Sequence, residues 1–100
     1  MEDSLTPSAK KTLMIAQEQA RGFQHQSVGT EHLLLALSIE KSGIAYQTLN
    51  QLSVTEQDVK EEIEQIAGYG NLQNDGTTYL PYSPKMRDIL NLAGQIAKQY

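Results

Sequence analysis

Two stretches of this chain, residues 5–23 and 82–100, carry the same pattern at an offset of 77 residues. Thr6-Pro7 falls on Ser83-Pro84, Leu13 on Leu90, Ala16 on Ala93, Ala20 on Ala97 and Phe23 on Tyr100, while the basic Lys10 and Arg21 fall on Arg87 and Lys98. In the first stretch the apolar residues Ala9, Leu13, Ala16, Ala20 and Phe23 recur in steps of 4, 3, 4 and 3, which draws one stripe on a helix. Thr and Ser are good N-caps, and Pro suits the first helical position, where its missing N–H would be unpaired in any case. Any two amphipathic helices share a stripe; a shared cap and proline mark a repeat. Residues 1–76 are therefore expected to be one helical repeat, and residues 77–100 the opening helix of a second.

The segment between these helices reads as three more. Gly29-Thr30-Glu31-His32 opens the second, with Thr30 or Ser27 as its cap and Glu31 where the helix dipole favours negative charge. Leu33, Leu34 and Leu37 give it a buried face that Leu35, Ala36 and Ile39 widen, so it belongs in the core. Ile44, Ala45, Thr48, Leu49 and Leu52 trace a short third helix. Thr55 followed by Asp58 resembles a capping box for a fourth, whose inner stripe is Val59, Ile63 and Ile66 and which Gly68 ends. Glu56, Asp58, Glu61, Glu62 and Glu64 crowd around its N-terminal half and read as a solvated face, or as an acidic surface for a basic adaptor. Residues 69–81, with Gly70, Asn71, Asn74, Asp75 and Gly76, break the periodicity and read as a loop. No segment alternates as a strand does. The fold class is all-α, a compact bundle of about five helices.

Composition removes several functions. The chain has 100 residues, 39% hydrophobic and 20% charged, a balance that suits one globular core. The longest apolar run, residues 33–37, is far short of the roughly 20 residues that span a bilayer. The acidic start, residues 1–4, is no signal peptide. There is no Cys, which excludes disulfides and thiolate metal sites and fits the reducing cytoplasm. A net charge of -4 is the wrong sign for a nucleic-acid reader, which counts against a helix-turn-helix protein. No G-x-x-x-x-G-K-[ST] is present to cradle a nucleotide phosphate, and no Ser/His/Asp set has a nucleophile's context.

Three strings carry a family resemblance: LTPSAKKTLMIAQEQA, HQSVGTEHLLLAL and YSPKMRDILNLAGQIA. Together they resemble the N-terminal domain of bacterial Clp/Hsp100 ATP-dependent unfoldases, the double Clp N repeat, and most of all its ClpC type. The resemblance implies a non-catalytic domain that receives adaptor proteins and protein clients for an AAA+ hexamer and its protease partner. ATP and Mg would be bound by the parent's AAA+ modules, with no cofactor in this domain and no nucleic-acid or membrane partner. It further implies recognition of phosphoarginine, with Glu31 pairing to the modified guanidinium. A sister Clp/Hsp100 domain that binds unfolded protein without reading phosphoarginine is the alternative.

Each candidate residue also has a plainer reading. Glu31 as a first-turn acid stabilises its helix by about 0.3–1 kcal/mol without any ligand. Thr6 and Thr30 are adequate caps, yet helix starts with unpaired N–H groups are also natural phosphate sites. Lys10 and Lys11 lie close enough to the first helix start to attract a phosphate, and otherwise serve solubility. His25 and His32, seven residues apart beside Glu31, form a weak metal signature, since a site needs three converging ligands. That set underlies the competing reading of a small autonomous metal protein; packing and hydrogen bonding at the helix start suit His32 better, and a loop position suits His25. Finally, the fifth helix is expected to bury only part of its stripe Ile89, Leu90, Leu92, Ala93 and Ala97, leaving apolar surface that favours self-association.

Overall fold

Thr6, Thr55 and Ser83 each start a helix by the same chemistry. In the computed structural model, which describes residues 5–99, the Thr6 hydroxyl accepts the Ala9 N–H at 3.1 Å and the Ser83 hydroxyl accepts the Met86 N–H at 3.1 Å. Thr55 and Asp58 exchange two bonds, Asp58 N–H to Thr55 Oγ1 at 3.2 Å and Thr55 N–H to Asp58 Oδ2 at 3.1 Å, so the capping box forms as expected. The helices are α1 (Pro7–Gly22), α2 (Thr30–Ile39), α3 (Ile44–Gln51), α4 (Glu56–Ile66) and α5 (Pro84–Gln99). Among the described residues there is no strand beyond an isolated parallel bridge between Val28 and Tyr82, and the fold is all-α. Residues 1–4 and the repeat position Tyr100 lie outside the described residues, as do the side chains of Ala97 and Lys98.

The cap of α2 departs from the sequence expectation. Gly29 holds the N-cap position, with Thr30 as the first helical residue, and neither Thr30 nor Ser27 caps. The Gly29 N–H donates to His32 Nδ1 at 2.9 Å, and this back-bond fixes the start of the helix at Thr30.

Small residues set the central contact. Ala16 and Ala20 of α1 and Ala36 of α2 are fully buried together with Val28 and Leu80, which lets α1 lie close along α2. A second cluster joins Phe23, Leu35, Val59 and Ile63, bringing α4 onto the other side of α2. A third joins Leu13, Met86 and Leu90, with Leu5, Leu33 and Tyr82 packed against it, and so holds the start of α5 against the start of α1. Lys11 Nζ lies 3.2 Å from the Glu40 carboxylate and ties α1 to the end of α2.

Two stripe assignments need correction. In α2 the buried line runs through His32, Leu35 and Ala36, and Leu34 is 43% exposed, because α1 and α4 clasp the helix from two sides and leave Leu34 between them at the surface. Ile66 is 78% exposed, since α4 ends there, past the last core contact at Ile63. The short α3 forms as expected and packs on α2, with none of its residues buried and Ile44 open to solvent. α5 buries only part of its stripe, as expected: Leu90 is buried together with Met86, while Ile89, Leu92 and Ala93 are exposed.

The loop over 69–81 is tied down through its backbone. Gln17, buried on α1, donates from Nε2 to the Leu80 carbonyl at 2.7 Å and accepts the Leu80 N–H on Oε1 at 2.9 Å. Val28 N–H reaches the Pro81 carbonyl at 2.8 Å, and Ser83 N–H reaches the Val28 carbonyl at 2.9 Å. Gly70 N–H donates to the Phe23 carbonyl at 2.8 Å, and a Cβ at Gly70 would collide with the Gln24 carbonyl oxygen, so only glycine admits this approach.

Candidate functional site

The start of α2 differs from those of α1, α4 and α5 in having no side-chain hydroxyl over its first turn. Its carboxylate comes instead from Glu31, which folds back over Gly29. A Cβ at Gly29 would sit 2.6 Å from Glu31 Oε2 and 2.7 Å from Oε1, so the glycine keeps open the space that the carboxylate occupies. Glu31 is exposed and half-buried Thr30 adjoins it, so an anion-favouring helix start and an acid share one surface.

Behind this start lies a partly buried relay. Gly29 N–H can only donate, so His32 Nδ1 accepts, at 2.9 Å. The Gly68 carbonyl can only accept, so His25 Nε2 carries a proton and donates, at 2.8 Å. The bond between them, His32 Nε2 to His25 Nδ1 at 2.8 Å, then runs with His32 as donor. Both imidazoles are thereby neutral, each with one tautomer, and the chain links α2, the α1–α2 connection and the end of α4. Phe23 stacks on His25 with ring centroids 5.3 Å apart, and Tyr69 covers Phe23 at 5.0 Å. Burial pushes the His32 pKa below its ordinary value; the Glu31 carboxylate opposes this and His25 adds to it.

His25, Glu31 and His32 do converge, with ligand atoms within 4.8 Å of one another, which their spacing in the sequence did not reveal. Every imidazole nitrogen of the pair is already in a hydrogen bond. A metal ion would have to break the relay and release the Gly29 N–H and the Gly68 carbonyl, so the donor set suits a structural lock better than a ligand cage. His32 bonds at the helix start and His25 lies in the connection, as expected.

The other sequence candidates fall as follows. Thr6 is an N-cap whose hydroxyl is used by Ala9. Leu5 before it and Leu33 in the first turn of α2 pack on one cluster, so the starts of α1 and α2 adjoin the same piece of core. Lys10 lines a cavity of about 220 Å³ with Leu13, Met14, Gln17, Tyr79 and Tyr82, whereas Glu31 lines a groove of about 590 Å³ between α2 and α4. The relay and the groove were missed in the sequence. The relay ends on a backbone carbonyl, which no residue pattern advertises; the groove's one linear trace was the run of acids interleaved with Val59, Ile63 and Ile66.

The profile of the Clp repeat (R) N-terminal domain matches residues 4–100. The chain belongs to the Clp repeat N-terminal domain family. This Clp N domain is 38% identical, over 95% of its length, to the ATP-dependent Clp protease ATP-binding subunit ClpC of Staphylococcus aureus, in strains USA300, NCTC 8325 / PS 47 and MRSA252 alike. It spans 11% of the length of these curated relatives. No helix of the Clp N domain is long and apolar enough, among the described residues, to cross a membrane.

Proposed function

We propose that this Clp N domain is the client- and adaptor-receiving module of a ClpC-type unfoldase, itself non-catalytic, and that it reads phosphoarginine at the start of α2. The parent would work as a cytoplasmic AAA+ hexamer with a protease partner, its ATP and Mg held by other modules. Residues 1–76 would be its first Clp N repeat and residues 77–100 the opening of its second. The observation that carries the reading is the exposed Glu31 carboxylate over the glycine-capped first turn of α2. Glu31 accepts from the guanidinium N–H groups, and the phosphoryl oxygens accept backbone N–H bonds at a helix start, with Thr30 beside them. Thr6 and Lys10 of the adjoining α1 start supply a hydroxyl and a positive charge for the phosphoryl end. The relay through His32 and His25 holds Gly29, and with it the position of Glu31.

Charge-assisted hydrogen bonds contribute roughly 1.5–3 kcal/mol each, so Glu31→Ala is expected to weaken free phosphoarginine by about ten-fold to a hundred-fold with helical content unchanged. Calorimetric titration measures this, and phosphoserine should compete poorly because it lacks the guanidinium. No binding by the wild-type chain, or equal binding by Glu31→Ala, overturns the assignment.

A further inference from the structure

The groove between α2 and α4 is a second surface beside Glu31, and its chemistry is of another kind. Its walls are Leu34 of α2, Val54 before α4 and Ile66 at the end of α4. Leu34 and Ile66 are 43% and 78% exposed, so large apolar side chains face water along a concave surface of about 590 Å³. That volume lies in the range of clefts that take a ligand of several side chains, and a concave apolar patch of this sort marks an interaction site. The charged residues lining it are Glu31, Asp58 and Glu62, all acids. Asp58 and Glu62 stand one helical turn apart, alongside the apolar row of Val59, Ile63 and Ile66. Lys60 leaves this rim unneutralised, since its Nζ pairs with Glu56 at 3.3 Å along the same helix.

We infer that this groove binds a protein segment whose large apolar side chains are flanked by lysine or arginine. Apolar side chains of the segment cover Leu34 and Ile66, and its cations meet the acidic rim. The same rim repels the phosphates of nucleic acid and the headgroups of an anionic membrane. The segment needs no phosphorylation, so this site goes beyond the phosphoarginine reading, although the two share Glu31 at the groove's rim.

The test is fluorescence anisotropy with two labelled peptides that share one leucine-rich core, one flanked by lysines and one by glutamates. The lysine-flanked peptide is expected to bind at least about five-fold more tightly, an advantage that shrinks in high salt. Ile66→Ser, at a surface position that leaves the core intact, should weaken it about ten-fold, and Leu34→Ser should act the same way. Glu62→Lys should narrow or reverse the preference between the two peptides. Equal affinity for both peptides, or full affinity in Ile66→Ser, overturns the proposal. So does sedimentation showing that the groove is closed by a second copy of the chain, as a dimer that Ile66→Ser dissociates. Because neither peptide carries phosphoarginine, these outcomes leave the Glu31 assignment untouched.

Discussion

Helices α1 and α5 begin alike and end up in different surroundings. Each has 16 residues, a hydroxyl cap bonded to the third residue on, and a proline at its first position. Each also repeats the backbone bond that follows the cap, Lys10 N–H to Thr6 carbonyl at 3.0 Å and Arg87 N–H to Ser83 carbonyl at 2.9 Å. Leu13 and Leu90, equivalent in the repeat, are 5% and 7% exposed and belong to one cluster. One turn later the two diverge. Ala16 is fully buried against α2, and its equivalent Ala93 is exposed, with Ile89, Leu92 and Ile96 open around it. The lesson is that cap and proline determine where a helix starts, and the neighbour determines which of its faces is buried. Only α1 has α2 to lie on.

The largest break in this comparison should come at Gln17, which has no polar counterpart on α5, where the repeat places Gly94. Gln17 satisfies both the N–H and the carbonyl of Leu80 in the core. Gln17→Leu leaves both groups buried without partners, at about 1–3 kcal/mol each, and is expected to cost about 2–4 kcal/mol in urea unfolding. A value below about 1 kcal/mol would show that the loop, not α1, holds Leu80. A smaller contrast lies one residue back. Ala16→Leu overpacks the α1–α2 contact and should cost about 1–3 kcal/mol, while Ala93→Leu should stay within about 0.5 kcal/mol. Equal costs would mean that α5 is as well covered as α1.

The end of α1 also adjoins a group whose titration bears on stability. Phe23, just past α1, packs on the His25–His32 relay, and His32 is held neutral by burial. With its folded pKa depressed, His32 takes up a proton more readily in the unfolded chain. Its contribution is therefore fully present above about pH 6.5 and declines as pH falls below that value. A protonated Nδ1 would face the Gly29 N–H donor, so the loss should appear first at the start of α2. Protection of the Gly29 amide, measured relative to its intrinsic exchange rate at each pH, should fall between pH 7 and pH 5 in the wild type, and His32→Gln, which keeps an acceptor, should flatten that response. An unchanged pH profile in His32→Gln would assign the dependence to other groups.

Local signals carried most of the fold. Thr6-Pro7, Ser83-Pro84 and the Thr55–Asp58 box are contained within four residues each, and all three formed. Stripe assignments failed where burial depends on partners that are distant in sequence: Leu34 and Ile66 were placed inside, and the geometry of α2 against α4 leaves them at the rim of a groove. The loop over 69–81 was legible as irregular, but its anchoring by Gln17 was not, because a buried glutamine resembles a surface one until its partner 63 residues away is known. At the candidate site Glu31 stood out in the Gly29-Thr30-Glu31-His32 string. The relay behind it did not, since its meaning depends on a Gly68 carbonyl.

The smallest expected effect is a difference near zero, and it tests the half of the comparison in which α1 and α5 agree. Removing a hydroxyl N-cap typically costs about 1 kcal/mol. Ordinarily a cap at the edge of a poorly covered helix would report only local fraying. Here both caps adjoin one core cluster: Leu5 precedes Thr6 and Tyr82 precedes Ser83, and both pack on Leu13, Met86 and Leu90. Ser83 is further fixed by its own N–H bond to the Val28 carbonyl. The two caps are thus coupled to global unfolding to the same degree, although the helices beyond them are not. Thr6→Ala and Ser83→Ala should each lower stability by about 1 kcal/mol and agree within about 0.5 kcal/mol in the same urea titration. If Ser83→Ala cost nothing while Thr6→Ala kept its full effect, the start of α5 would unfold apart from the core, and the shared chemistry of the two helix starts would not extend to shared stability.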